Sequence, residues 1–345
     1  MNSNSWGSIQ PEFAQFWAKN LCTSTYSLVR LHGGINNQVF LCEDDSRKWL
    51  IKAYPHSGSE GQVRMNAEVE FLRFAAQAAP SFVPKLYHVD KERRCVVMEF
   101  IEGDMFKEGF AASSDSIGEA TTFFCQLNAD QEMAKHFIHQ VAAEGFLSIR
   151  EHLQNISNRI RLMCYDHIDM QYRDQAKSLI GFLYNGLEKI DKATIKKIEK
   201  GEIVDSIQTS KRIISPGDFG FHNARITRRG RIYFFDFEFA GWDDPAKTAI
   251  DFLLQPKVPI KMEVSTLIAA IINTKRNEIT CRIDALMPIL CLKWICIILA
   301  ILQPSKLKTI TSNLQEFERE RLIPKRLYAA SAYKEKLNNI MTLHI

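Results

Sequence analysis

Residues Ser215–Asn223 read SPGDFGFHN, and Ile232–Pro245 read IYFFDFEFAGWDDP. In the first stretch Asn223 follows Asp218 by five positions, and in the second Asp236 rises out of an apolar run. Taken singly, such residues begin turns, end them or cap helices. Together they make a different pattern. A hard cation such as Mg²⁺ takes oxygen ligands, usually one or two side chains completed by water and substrate phosphates. An aspartate placed to accept a hydroxyl proton, with a metal-binding asparagine five residues on, is the catalytic-loop pattern of kinases. The segments NARIT and RIYFF, joined by RRG, read as a hairpin that returns Asn223 towards Asp236. Asp218 is therefore the candidate base, and Asn223 and Asp236 are candidate Mg²⁺ ligands.

A phosphate site needs cations as well. Lys52 in WLIKAY lies inside an apolar strand pattern, where an ammonium group requires a partner or a ligand. Its surroundings are similar to those of the V-A-I-K lysine that holds nucleotide phosphates. Glu68, on a predicted helix face with Phe71 and Leu72, is the expected partner, with Glu70 as the competing choice. The turn HGGINN, with Gly33 and Gly34, offers backbone amides that would cover phosphates. VVMEFIEG places the backbone of Glu99 to Ile101 at the end of a strand, where it would meet an adenine.

Outward from these stretches the pattern has three parts. Residues 1–25 contain a short packing helix. Residues 26–101 hold short aromatic and β-branched runs (TYSLVRL, QVFLCE, KWLIKAY, RCVVMEFI) and one helix around RMNAEVEFLRFAAQ. Residues 102–345 are mainly helical, interrupted by a β interlude at Arg212–Phe239. The expected fold is α+β: a small antiparallel-sheet lobe with one helix for nucleotide, then a large helical lobe carrying the catalytic-type loop and the acceptor site.

The bulk numbers fit this and exclude little. The chain has 345 residues, a net charge of +4 and 46% hydrophobic residues. That charge gives no argument for a nucleic-acid partner. The eight cysteines form no CxxC or zinc spacing and read as free thiols in a reducing compartment. The N-terminus lacks the basic start and apolar core of a signal peptide, so the expected location is cytoplasmic. Ala285–Leu302 is apolar over a membrane-spanning length, yet it carries Lys293 and reads as a core helix rather than a span.

On Lys52, Glu68, Asp218, Asn223 and Asp236 the chain resembles the aminoglycoside phosphotransferase family, the small-molecule branch of the protein-kinase-like fold that also contains choline kinases. The resemblance runs from about Leu31 to Pro256. It implies ATP, Mg²⁺ and transfer of the γ-phosphate to a hydroxyl of a small metabolite, a carbohydrate being one acceptor that fits. It also implies that Asp251 braces the loop. The family's histidine two residues before the base is replaced by Pro216, with His222 nearby. A choline-type acceptor would call for an aromatic and acidic cage, for which Trp242, Asp243 and Asp244 are the candidates. The rival reading is a catalytically idle, kinase-like module that holds nucleotide, or nothing, and regulates a partner.

Overall fold

A computed structural model describes residues 9–22, 25–31, 37–56, 58–260, 276–311 and 316–344. The chain forms two compact units, one of residues 1–145, 213–243 and 256–261, the other of residues 146–212, 244–255 and 262–345. Residues 102–145, expected to begin the helical lobe, thus belong to the unit that carries the sheet.

In the first unit, strands β1 (Ser27–Leu31), β2 (Gln38–Glu43), β3 (Lys48–Ala53), β4 (Leu86–Asp90) and β5 (Cys95–Glu99) form one antiparallel sheet in the order β1-β2-β3-β5-β4. Side chains alternate across a strand, and β3 uses both faces. Trp49 and Ile51 join Phe40, Cys42, Cys95 and Val97 in a cluster covered by Ala14 and Ala18 of helix α1 (Ile9–Leu21). Lys52, one step further along β3, points to the other face, where it meets helix α2 (Glu60–Ala78). The strand alternation therefore separates a dry core from a charged site. The edge strand β4 has no counterpart among the expected strands. Its sequence LYHVD mixes apolar and polar residues, with Tyr87 and His88 exposed, and it pairs with β5.

The β interlude becomes two further sheets. β7 (Ile213–Ser215) pairs with β10 (Gly241–Asp243), and the hairpin β8 (Ala224–Ile226)–β9 (Ile232–Phe234) is joined by β6 (Asp104–Met105). Helices α3 (Ser114–Leu127) and α4 (Gln131–Phe137) complete the unit. Both begin at a capping side chain: Ser113 accepts from the Ser116 amide, and Asp130 from the Met133 amide.

In the second unit, helices α5 (Ile149–Arg161), α6 (Met170–Glu199), α7 (Pro245–Leu254) and α8 (Arg276–Ile298) pack together with α10 (Glu316–His344); α9 (Pro304–Thr311) lies between the last two in sequence. Ser148 and Glu151 form a capping box at the start of α5. The stretch Ile279–Leu302 is long and apolar enough to cross a membrane, and 83% of its most apolar window is buried inside the unit. Lys293 is accommodated there by an ion pair to Asp251 of α7 at 2.5 Å, with Lys247 at 3.4 Å and Trp294 Nε1 donating to the same carboxylate at 3.1 Å. Asp251 therefore ties α7 to α8; its bonds go to these helices, in place of the expected bracing of the Asp218 loop.

This buried cluster generates a prediction. Asp251→Asn would leave the Lys293 and Lys247 ammonium groups inside without their carboxylate, and should destabilise the protein by about 3–5 kcal/mol in denaturant titrations. The cluster also has a pH dependence. Burial, with the positive charge of Lys247 and Lys293, pushes His152 from 6.5 down to about 3. Burial opposes ionisation of Asp251, but Lys293 and Lys247 outweigh it and hold the carboxyl below its ordinary value. Both groups take up protons more readily when unfolded than when folded, so stability present at neutral pH is lost on acidification. His152 acts first: the denaturation midpoint should fall as pH drops below 6.5 towards 3, and His152→Phe should flatten the upper part of that fall.

Candidate functional site

The site is built around one buried ammonium group. Lys52 Nζ lies 2.5 Å from Glu68 Oε2 and 2.5 Å from Asp236 Oδ1, with Glu238 Oε2 at 3.9 Å. Burial works against its charge, but Asp236, Glu68 and Glu238 together outweigh that and hold its pKa above the ordinary lysine value. Glu68 is the helix residue that meets it; Glu70 accepts instead from the His139 amide at 3.3 Å. Helical spacing explains the choice, since Glu68 shares its inward face with Phe71 and Leu72, all buried.

Three partners carry no obvious sequence signal. Tyr54, fully buried one residue beyond β3, donates its hydroxyl to the Glu68 oxygen that also receives Lys52. Glu238 is buried and accepts from the Asn37 side-chain amide, while Arg64 of α2 lies 4.0 Å from its carboxylate and 5.4 Å from the Phe239 ring centroid. Tyr54 could have been suspected only as an aromatic next to a strand lysine. Glu238 could have been suspected as the second carboxylate of Asp-Phe-Glu.

The hairpin places the next two residues. Asn223 ends at the start of β8, and its carbonyl accepts from the Phe235 amide at 3.0 Å, so Asn223 and Asp236 flank the same end of β8–β9. Asp236 has φ +68°, a left-handed backbone that costs energy for a residue with a Cβ. The conformation belongs to a side chain that touches Lys52 and remains 41% exposed. The Asn223 Nδ2 donates to the Asp218 carbonyl at 2.9 Å, which leaves Asn223 Oδ1 as the atom fit for a cation. These hard oxygens suit Mg²⁺. Among the described residues no three His, Cys, Asp or Glu side chains form a metal-holding group, so water and phosphate would complete the shell.

Asp218 is 44% exposed, with His222 Nε2 at 3.2 Å from Oδ2 and Asn223 Nδ2 at 3.4 Å. Desolvation works to raise its pKa, but His222, Lys257 and Asn223 outweigh it and hold the carboxyl below the usual range. His222 thus meets the loop aspartate directly, while Pro216 is buried. The loop is pressed against the metal segment at Gly217. Its φ is +83°, and a Cβ there would stand 2.4 Å from the Phe239 carbonyl oxygen, so only glycine fits.

The Glu99 amide is already given to the Lys85 carbonyl at 2.8 Å, and the Ile101 carbonyl accepts from Arg225 at 3.3 Å. Gly33 and Gly34 lie outside the described residues. The proposed cage is committed to the fold. Trp242 Nε1 donates to the Ile138 carbonyl at 2.9 Å, Asp243 is fully buried, and Asp244 caps α7 and pairs with Arg282 at 2.5 Å.

Comparison with known proteins shows the family and the fold. The profile of the phosphotransferase enzyme family matches residues 27–247, more than half of the chain, and the chain belongs to that family. No curated protein sequence matches it. The GDP complex of wild-type aminoglycoside 2'-phosphotransferase-IIIa superposes with a TM-score of 0.61 at 12% identity, over 94% of this chain and 98% of that one. A choline/ethanolamine kinase family protein from Mesorhizobium loti gives 0.55 at 17% identity, over 97% and 98%. The Plasmodium vivax ethanolamine kinase gives 0.52 at 14%, over 91% and 85%. The fold is that of the protein-kinase-like small-molecule kinases, with an antiparallel sheet in its N-terminal part and a mostly helical C-terminal part.

Tyr54 supplies the test of this arrangement. Tyr54→Phe removes one hydroxyl and leaves Glu68 with Lys52 alone. A buried hydrogen bond to a charged group contributes about 1.5–3 kcal/mol, so chemical denaturation should show a loss of that size with the fold retained by circular dichroism.

Proposed function

We propose that this member of the phosphotransferase enzyme family is a cytoplasmic kinase that moves the γ-phosphate of ATP, with Mg²⁺, to a hydroxyl of a small metabolite. The observation that carries the reading is Lys52, held at 2.5 Å from both Glu68 and Asp236. This links a phosphate-binding cation to a metal-binding carboxylate in the same unit as Asp218. All eight cysteines are free thiols, in keeping with a reducing compartment.

Each residue then has a task. Lys52, kept oriented by Glu68 and Tyr54, binds nucleotide phosphates. Asn223 Oδ1 and the Asp236 carboxylate hold the ion, whose positive charge offsets charge building on the phosphate oxygens. Asp218 accepts a hydrogen bond from the acceptor hydroxyl and points its oxygen at the phosphorus. His222 and Asn223 fix the Asp218 carboxylate so that this orientation is not averaged away. The structural bonds made by Trp242 and Asp244 lend no support to a choline-type cage at that turn, so neutral hydroxylated compounds, carbohydrates among them, are the acceptors to screen first.

Asp218→Ala should abolish phosphoryl transfer while nucleotide binding survives. Asp236→Asn should weaken Mg·ATP binding itself. Thermal melts with ATP and with GTP, each with and without Mg²⁺, separate the cases. A ligand at a hundredfold excess over its Kd stabilises by about 2.7 kcal/mol, a visible shift. A Mg²⁺-dependent shift in wild type and in Asp218→Ala, but not in Asp236→Asn, is the expected result. A shift with neither nucleotide would favour the idle module, as would the lack of slow ATP hydrolysis in the absence of acceptor.

A further inference from the structure

Two of the eight cysteines come together. Cys22 follows the last turn of α1, its amide donating to the Ala18 carbonyl at 3.0 Å, and Cys42 sits within β2 between Leu28 of β1 and Trp49 of β3. Their sulfurs are 3.5 Å apart across the core cluster that joins the helix to the sheet. Neither residue touches Lys52, Glu68, Asp218, Asn223 or Asp236. Cys42 and Gln38, the β2 residue next to the Asn37 that bonds Glu238, stand at opposite ends of the strand.

We propose that Cys22 and Cys42 form a reversible disulfide that fastens α1 to the sheet when the protein meets a small-molecule disulfide such as oxidised glutathione. A disulfide needs its sulfurs at about 2.05 Å. Both backbones are already held, one by helical and one by strand hydrogen bonds, so closing the 3.5 Å gap falls to the side chains. Cys22 is partly exposed and Cys42 is fully buried, which fixes the order of events. The Cys22 thiol loses its proton to solvent, and its sulfur attacks the small disulfide, expelling one glutathione thiolate. Cys42, after losing its own proton, attacks Cys22 sulfur in the mixed disulfide and expels the second. One S–S bond is broken and one is made. The two protein thiols are oxidised by two electrons, and the two released thiolates take up the two protons.

Burial raises both thiols above their ordinary pKa, which keeps the thiolate scarce at neutral pH. The reaction is therefore slow at neutrality and faster in mild alkali. Cys125 and Cys281 are exposed and will also take up glutathione. Closure of the Cys22–Cys42 loop restricts the unfolded chain and stabilises the folded one.

The test uses the full-length protein, incubated with oxidised glutathione at mildly alkaline pH, then alkylated and mapped by mass spectrometry, with melts run in parallel. The expected result is a Cys22–Cys42 cross-linked peptide and a rise in Tm of roughly 5–10 °C. Both should be reversed by dithiothreitol and absent from Cys22→Ser, with Cys22→Ala as the second variant should the first fold poorly. Glutathione adducts at Cys125 and Cys281 with Cys22 and Cys42 still alkylated would overturn the site. A cross-link without a gain in Tm would overturn its role as a fastening.

Discussion

The ion pairs of Lys52 hold together parts of the first unit that are distant in sequence. Strand β3 contributes the ammonium, helix α2 contributes Glu68, and the segment after β9 contributes Asp236 and Glu238. Among the described residues one ammonium thus faces three carboxylates, and Arg64 stands 4.0 Å from Glu238. Taking such groups out of water is costly, and a buried ion pair is weak evidence of stability. A stable core would be better served by apolar residues here. The arrangement makes sense as a site short of positive charge on its open side, where Asp236 is exposed and a divalent cation would add what is missing.

Stiff packing beneath the site keeps these charges in place. Phe71 of α2 lies 4.4 Å from Phe237, between Asp236 and Glu238, and Phe123 of α3 stacks on Phe234 at 5.0 Å. Phe219, within the Asp218 loop, packs on both Phe124 and Phe234 at 5.0 Å. The apolar run that made Asp236 conspicuous is thus the layer on which it rests. Gly217 lies so close to the Phe239 carbonyl oxygen that the Asp218 loop packs directly on the segment carrying Asp236. Rigid support of this kind holds polar groups at working geometry.

Much of this was legible because strand and helix periods are local. The period of two in KWLIKA puts Lys52 opposite Trp49 and Ile51, and the helical face shared with Phe71 selects Glu68 over Glu70. The hairpin turn brings Asn223 and Asp236 to one end. What could not be read depends on contacts across the fold. Tyr54, Asn37 and Glu238 acquire their roles only from where α2 and the metal segment land. Lys293 was recognisable as a charge needing a partner, but that partner, Asp251, lies 42 residues away. Strand β4 is short, with Tyr87 and His88 exposed, and its place in the sheet comes from its pairing with β5. At Trp242–Asp244 capping and cation binding ask for the same residue types, so sequence alone could not choose between them.

The two aspartates of the proposed reaction are separated by their surroundings. Asp236 faces an ammonium and is otherwise open to solvent. Asp218 faces His222 and Asn223, and its carboxyl is held below the usual range. A carboxylate stabilised in this way is a poor proton acceptor at the start of the reaction, since proton-transfer efficiency follows basicity. In a loose phosphoryl-transfer transition state the nucleophile need not be deprotonated early, and positioning with charge stabilisation does most of the work. Asp218 is then better understood as the residue that aims the hydroxyl and receives its proton late. The same view accounts for Pro216 in place of a histidine: the loop needs the carboxylate fixed, and His222, four residues after Asp218, supplies a contact that fixes it.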